Sequence, residues 1–138
     1  MSEKHYSDQS LYFNDLSVRI TESLTDMEWI VLERRVIYGD TLEDIGATLG
    51  LASVRVTHIM NRAVKNVLEQ FNEDIESFSI KLEKVLVEAG GVLKIRDCLR
   101  SFTEMSENEF MILFAFCMKK REGLFHRENE MISIGEKT

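Results

Sequence analysis

The sequence predicts a mainly α-helical protein, a helix-turn-helix bundle followed by a small α+β unit. Three observations carry that prediction. Thr25 and Ser106 each stand three residues ahead of a glutamate, the reciprocal capping box that opens a helix. Leu42 to Ile59 carries glycines and apolar residues at the offsets that two crossing helices need. Apolar residues recur at helical spacing up to Ala89, whereas short apolar runs separated by turn residues follow Gly90-Gly91.

The elements follow in chain order. Proline is absent, so Gly, Asn, Asp, Ser and Thr must mark the boundaries. Residues 1–8 are polar and are expected to fray. Leu11, Tyr12, Leu16 and Ile20 predict a short amphipathic helix over Ser10 to Thr21. Thr25 with Glu28 opens the next helix, flanked by Leu24 and Trp29 at the spacing of a hydrophobic staple. It runs through Ile30, Val31, Leu32 and Val36 to Gly39. Thr41 with Asp44 starts a short helix that stops at Gly50. A third helix begins near Ser53 and carries a strong stripe from Val56 to Phe71. At Asn72 the chain either caps a new helix or continues the old one. Ile75, Phe78, Leu82, Val85, Leu86 and Ala89 form the next amphipathic run.

Val92 to Ile95 then reads as a short strand, and Arg96 to Phe102 as a helix. Ser106 with Glu109 opens a helix over Phe110, Leu113, Phe114, Cys117 and Met118. Two short apolar runs around Glu128-Asn129-Glu130 predict a hairpin. Helix, strand, helix, helix, hairpin is close to the element order of a winged helix. The expected division is residues 1–72 for the helix-turn-helix domain and 73–138 for the winged-helix-like unit.

Composition bounds the class. The chain has 138 residues and a formal charge of −7, with 44% hydrophobic and 30% charged residues. That balance is globular. No apolar run approaches the ~20 residues of a membrane span. The start Met-Ser-Glu-Lys-His-Tyr lacks the apolar core of a signal peptide. Cys98 and Cys117 are too few for a disulfide framework and lack metal-ligand spacing. A soluble, reduced, cytoplasmic protein without membrane contact is expected.

The acidic total argues against indiscriminate binding to nucleic acid. Locally the pattern differs. Residues 1–70 hold 7 basic and 11 acidic side chains, and residues 71–138 hold 10 and 13. Yet no Asp or Glu occurs between Ile45 and Leu68, a stretch that carries Arg55, Arg62 and Lys65. This points to a surface meant for anions.

The helix-turn-helix reading is specific. Counting from Leu42, Ile45 is fourth, Gly46 fifth, Leu49 eighth, Gly50 ninth, Leu51 tenth, Val56 fifteenth and Ile59 eighteenth. A small fifth residue lets the helices cross closely. A glycine in the turn takes positive φ.

On these residues the segment from Leu24-Thr25 through Leu68 resembles region 4 of sigma-70 family bacterial RNA polymerase sigma factors. The match is carried by Leu24-Thr25, Glu28, Val31-Leu32, Arg35, Tyr38-Gly39, Thr41 to Gly46, Leu49-Gly50, Arg55-Val56, Ile59, Ala63 and Val67, about one third of the chain. The resemblance implies a helix that enters the major groove of a promoter −35 element, and contact with the flap of RNA polymerase. The chain departs from the family at Ser53 and Thr57, which replace cations, at Val54, which replaces an acid, and at His58, which replaces an amide. The −35 specificity of the family is therefore not expected here. Sigma factors also need a separate aromatic-rich module to melt DNA, so this chain does not read as a complete sigma factor. From about Ile75 to Ile134 the chain resembles, more weakly, a HARE-type winged helix, on Leu82, Leu86, Gly91-Val92-Leu93, the Phe110–Met118 helix and the hairpin with Phe125 and Ile134. That resemblance implies association with transcription or DNA-modification machinery.

The expected function is a DNA-binding, transcription-associated regulator acting on double-stranded DNA, with RNA polymerase as a candidate partner, and useful affinity from one domain of this size calls for a homodimer or a partner. Arg55, Arg62 and Lys65 would hold phosphates, while Ser53, Thr57, His58 and Asn61 would touch base edges. Lys119, Lys120, Arg121 and Arg127 would add phosphate contacts at a helix end and on the wing. The rival reading is a protein-interaction module on the same scaffold, binding RNA polymerase, a sigma factor or another regulator. Acidic neighbours such as Glu43, Asp44 and Glu69 around the cations would favour it.

Plainer roles stand beside these. Trp29, Phe110 and Phe114 suit the core. Lys119-Lys120-Arg121 suits an ordinary cationic helix end. Cys98 and Cys117 suit buried apolar positions. His5 and His126 carry no partner signal. No phosphate loop, metal-binding pair or nucleophile motif occurs, and Glu104, Glu107 and Glu109 are explained by capping. No enzyme activity, cofactor or metal is expected.

Overall fold

A computed structural model describes residues 9–103 and 105–135, with side chains from Asp15 onward. These residues form seven helices and one three-stranded antiparallel sheet. The mainly α class with a small α+β unit is the one expected.

Helix α1 spans Gln9–Ser23, somewhat longer than expected. Leu16 and Ile20 are fully buried on its inner face. Helix α2, Asp26–Leu32, opens on the expected capping box. The Glu28 N–H donates to Thr25 Oγ1 at 3.1 Å, and the Thr25 N–H donates to Glu28 Oε1 at 2.9 Å. After Leu32 the helix departs from the regular form expected. It widens into a π turn over Glu33–Ile37, where the Tyr38 N–H reaches back five residues to the Glu33 carbonyl at 3.3 Å. Asp40 holds that turn from outside, its Oδ2 accepting from Arg34 Nε at 2.9 Å and its carbonyl from Arg35 Nη1 at 3.0 Å.

Helix α3, Leu42–Leu49, and helix α4, Ser53–Gln70, form the helix-turn-helix. Thr41 Oγ1 accepts the Asp44 N–H at 3.0 Å, and Gly50 takes the left-handed conformation at φ 72°. Inside the corner Val31, Ile45 and Val56 are fully buried, with Leu42, Leu49, Leu51 and Ile59 packed around them. Gly46 shows why the fifth position must be small. A Cβ there would fall against the Leu51 carbonyl oxygen, well inside 3.0 Å.

The boundary near Asn72 resolves in neither expected way. Phe71 breaks the helix at φ −116°, ψ 27°, and helix α5, Asn72–Glu88, begins without a side-chain cap. The Asn72 side chain instead accepts from Lys120. Strand β1 spans Val92–Lys94, one residue shorter than expected. The Ile95 N–H turns to the Glu130 carbonyl at 2.8 Å, and helix α6, Ile95–Cys98, starts there. It tightens into a 3₁₀ turn over Leu99–Ser101. Helix α7, Glu107–Lys120, opens on the Ser106–Glu109 capping box. Strands β2, Phe125–Glu128, and β3, Met131–Ile134, form the hairpin. Its two-residue turn carries Asn129 at φ 56°, and Glu128 faces Met131. The sheet order is β1-β3-β2, with Leu93 facing Ile132.

One core runs across both halves of the chain. Leu16, Ile20, Ala63 and Val67 from the first half join Phe78, Leu82, Phe110 and Ile132 from the second in a single buried cluster. Helix α7 lies at its centre, with Phe110, Met111, Ile112, Leu113, Phe114, Phe116 and Cys117 all buried. The rings of Phe78, Phe102 and Phe110 pack with centroids 5.1–5.8 Å apart. Phe110 stacks on Phe114 at 6.2 Å, and Phe114 meets Phe125 edge-on at 6.3 Å. Phe110 and Phe114 are core residues, as expected. Trp29 is only half-buried at the edge of the cluster.

Two substitutions test this packing by urea denaturation. Gly46→Ala is expected to cost about 1–3 kcal/mol, because the corner must open to admit the methyl. Phe110→Ala is expected to cost about 3–5 kcal/mol through the cavity it leaves.

Candidate nucleic-acid interface

Helix α4 presents its polar face to solvent. Arg55, His58, Asn61, Arg62 and Lys65 are all exposed, while Val56, Ala63 and Val67 on the opposite face are buried. The hydrophobic stripe thus sets which side chains project outward. None of Arg55, Arg62 and Lys65 lies in an ion pair among the described residues. Ser53 and Thr57 are half-buried. The Thr57 hydroxyl donates to the Ser53 carbonyl at 3.1 Å, which leaves its oxygen as an acceptor. Ala52 offers the helix no side-chain cap, and the Arg55 N–H donates to the Ala52 carbonyl at 2.9 Å.

Two grooves flank this face. Arg55, His58 and Arg62 line one of about 400 Å³ with Thr25, Met27, Glu28 and Ile59. Asn61, Lys65 and Glu69 line another of about 640 Å³ with Asn72, Lys119 and Glu122. The second groove brings Lys119, at the end of α7, to the same surface as Lys65. Each groove also holds carboxylates, Glu28 in one and Glu69 with Glu122 in the other, so the surface is mixed in sign.

The remaining cations have other places. Arg121 Nη1 donates to Glu83 Oε1 at 2.9 Å and to Ser79 Oγ at 3.2 Å, tying the end of α7 to α5. A guanidinium so paired is a poor phosphate ligand. Lys120 is half-buried and donates to Asn72 Oδ1. Arg127 is exposed on β2, where its Nε donates to the Asn129 carbonyl at 3.1 Å, and it lines neither groove. His126 does have a partner, with its Nε2 2.6 Å from the Gly135 carbonyl. His5 and Glu104 lie outside the described residues.

Val54 belongs to this face although the sequence did not single it out as a site residue. It is 61% exposed on the first turn of α4. An apolar side chain there can meet a thymine methyl. Its place four and seven residues before His58 and Asn61 was the available signal. Among the described residues no group of acids, cysteines and histidines could hold a metal, and no helix is long and apolar enough to cross a membrane.

Both cysteines are buried and unpaired with each other. Burial, then the neighbouring Asp97 carboxylate, pushes the Cys98 thiol up to about 11 from its ordinary 9.0. Burial and then Glu76 push Cys117 well above that ordinary value, with Arg121 and Lys120 acting the other way. The folded state thus keeps these protons to higher pH than the unfolded state. The Cys98 contribution to stability is complete below pH 9.0 and is lost as pH rises through about 11, and the Cys117 contribution has the same sign. Equilibrium unfolding across that window is expected to show a falling stability, and Cys98→Ala is expected to fall less steeply.

Set against family models, curated proteins and solved structures, the chain matches none.

Proposed function

We propose that the protein is a double-stranded-DNA-binding, transcription-associated regulator that docks helix α4 in the major groove. The observation that carries this reading is the outward face of α4, where Arg55, Arg62 and Lys65 stand exposed and, among the described residues, free of ion pairs beside His58 and Asn61. A helix held at its inner face by a tight corner is a rigid rod of the width the major groove admits. Arg55, Arg62, Lys65 and Lys119 would hold phosphates. Val54, His58 and Asn61 would meet base edges. Arg121 and Lys120 are assigned to the fold, on the partners already described. A single helix makes few base contacts, so useful affinity calls for a dimer or for RNA polymerase as a partner.

A second reading is favoured by one observation. Glu28, Glu69 and Glu122 share the grooves with the cations, and Glu43 and Asp44 are exposed on α3. A surface of mixed sign suits a protein partner, such as RNA polymerase or a sigma factor, through paired charges.

Fluorescence anisotropy with random duplex DNA separates the two. Binding at low salt is expected at about micromolar protein, within the usual range of non-specific affinity. Arg55→Ala with Lys65→Ala is expected to weaken it and to flatten the log–log salt slope by about 0.9 for each phosphate no longer neutralised. Arg121→Gln is expected to leave that slope unchanged. Absence of duplex binding, or binding indifferent to the Arg55/Lys65 double variant, would remove the DNA reading and leave the protein-interaction module.

A further inference from the structure

A cavity that shares no lining residue with the grooves beside α4 is not explained by DNA binding. It lies where α1, the π turn and the first turn of α7 meet, and it holds about 270 Å³. That is just below the ~300 Å³ at which small-molecule sites commonly begin. Its walls are of two kinds. Trp29, Ile37 and Ile112 give it apolar surface, while Glu22, Glu33 and Glu109 make part of its remaining lining acidic. No Lys, Arg or His lines it among the described residues.

The carboxylates are not equivalent. Glu109 is anchored, with Oε1 accepting from the Ser106 N–H at 2.9 Å and Oε2 from the Ser17 hydroxyl at 3.4 Å. Ser17 is itself only 5% exposed. Glu22 and Glu33 have no ion pair among the described residues. Glu33 and Ile37 are the first and last residues of the π turn, so the widened backbone supplies one apolar and one acidic wall. Such turns inside helices are frequent at functional sites.

We infer that this cavity binds a small organic ammonium ion with an apolar body. Complementarity selects that class of ligand. An anion would meet three like charges. A neutral apolar ligand would cover carboxylates that then lose water without gaining a partner. An ammonium group satisfies Glu22 and Glu33, and can lie against the Trp29 ring, the best of the aromatic faces for a cation. Its apolar body fills the space against Ile37 and Ile112. Binding here is independent of the role assigned to α4 and does not require it.

Trp29 is the single tryptophan of the chain, so its emission reports on this cavity directly. The full chain is titrated with phenethylammonium, with phenethyl alcohol as the neutral analogue and phenylpropanoate as the anionic one. A saturable change is expected with the ammonium ion alone, at a Kd of about 10 µM to 1 mM. Glu22→Gln with Glu33→Gln is expected to weaken it about fivefold to tenfold, while the circular dichroism of the variant stays that of the parent. The Ile112 methyl resonance is expected to move in the same titration. Absence of saturation with the ammonium ion, equal affinity for the alcohol, or an affinity unchanged in the double variant would overturn the inference.

Discussion

The burial of α7 is the constraint on which the rest of the molecule depends. Seven of its fourteen residues are buried apolar side chains, too many for one face of a surface helix. The helix can be accommodated only by surrounding it. Helices α1, α4 and α5, the π turn and the hairpin supply that surround, and the two halves of the chain share one core as a result. The ring contacts from Phe78 through Phe110 to Phe125 run through the middle of it.

That burial decides which helical faces stay in solvent. The side chains of α7 are committed to the core, and its end reaches the α4 surface through Lys119. The polar face of α4 stays exposed. Arg121 stays away from that face, because it turns toward Glu83 and Ser79 and closes α7 onto α5.

The charge of the whole chain matters less at that face than the charges beside it. A net charge of −7 is screened beyond about 8 Å at physiological salt. Exposed opposite charges are worth only about 0–1 kcal/mol a pair, so Glu28, Glu69 and Glu122 offset the neighbouring cations only in part. The acidic cavity by Trp29 belongs to a different surface, built from α1, the π turn and α7.

Local signals were legible in the sequence because they are local in physics. The capping boxes at Thr25 and Ser106, the Thr41 cap and the Gly50 turn each involve residues a few positions apart. So does the demand for a small residue at position 46, whose clash is with Leu51. The apolar stripe of α4 likewise placed Arg55, His58, Asn61, Arg62 and Lys65 on the exposed side. What no local pattern held was every relation across the chain: Arg121 with Glu83, Lys120 with Asn72, Lys119 beside Lys65, and the joining of the two expected units into one core. The break at Phe71 and the π turn at Glu33 also arose at this level, since neither has a strong local signature. Spacing along the chain specifies helices and their caps, but which charges are paired, and which faces stay wet, is decided only when distant segments compete for the same neighbours.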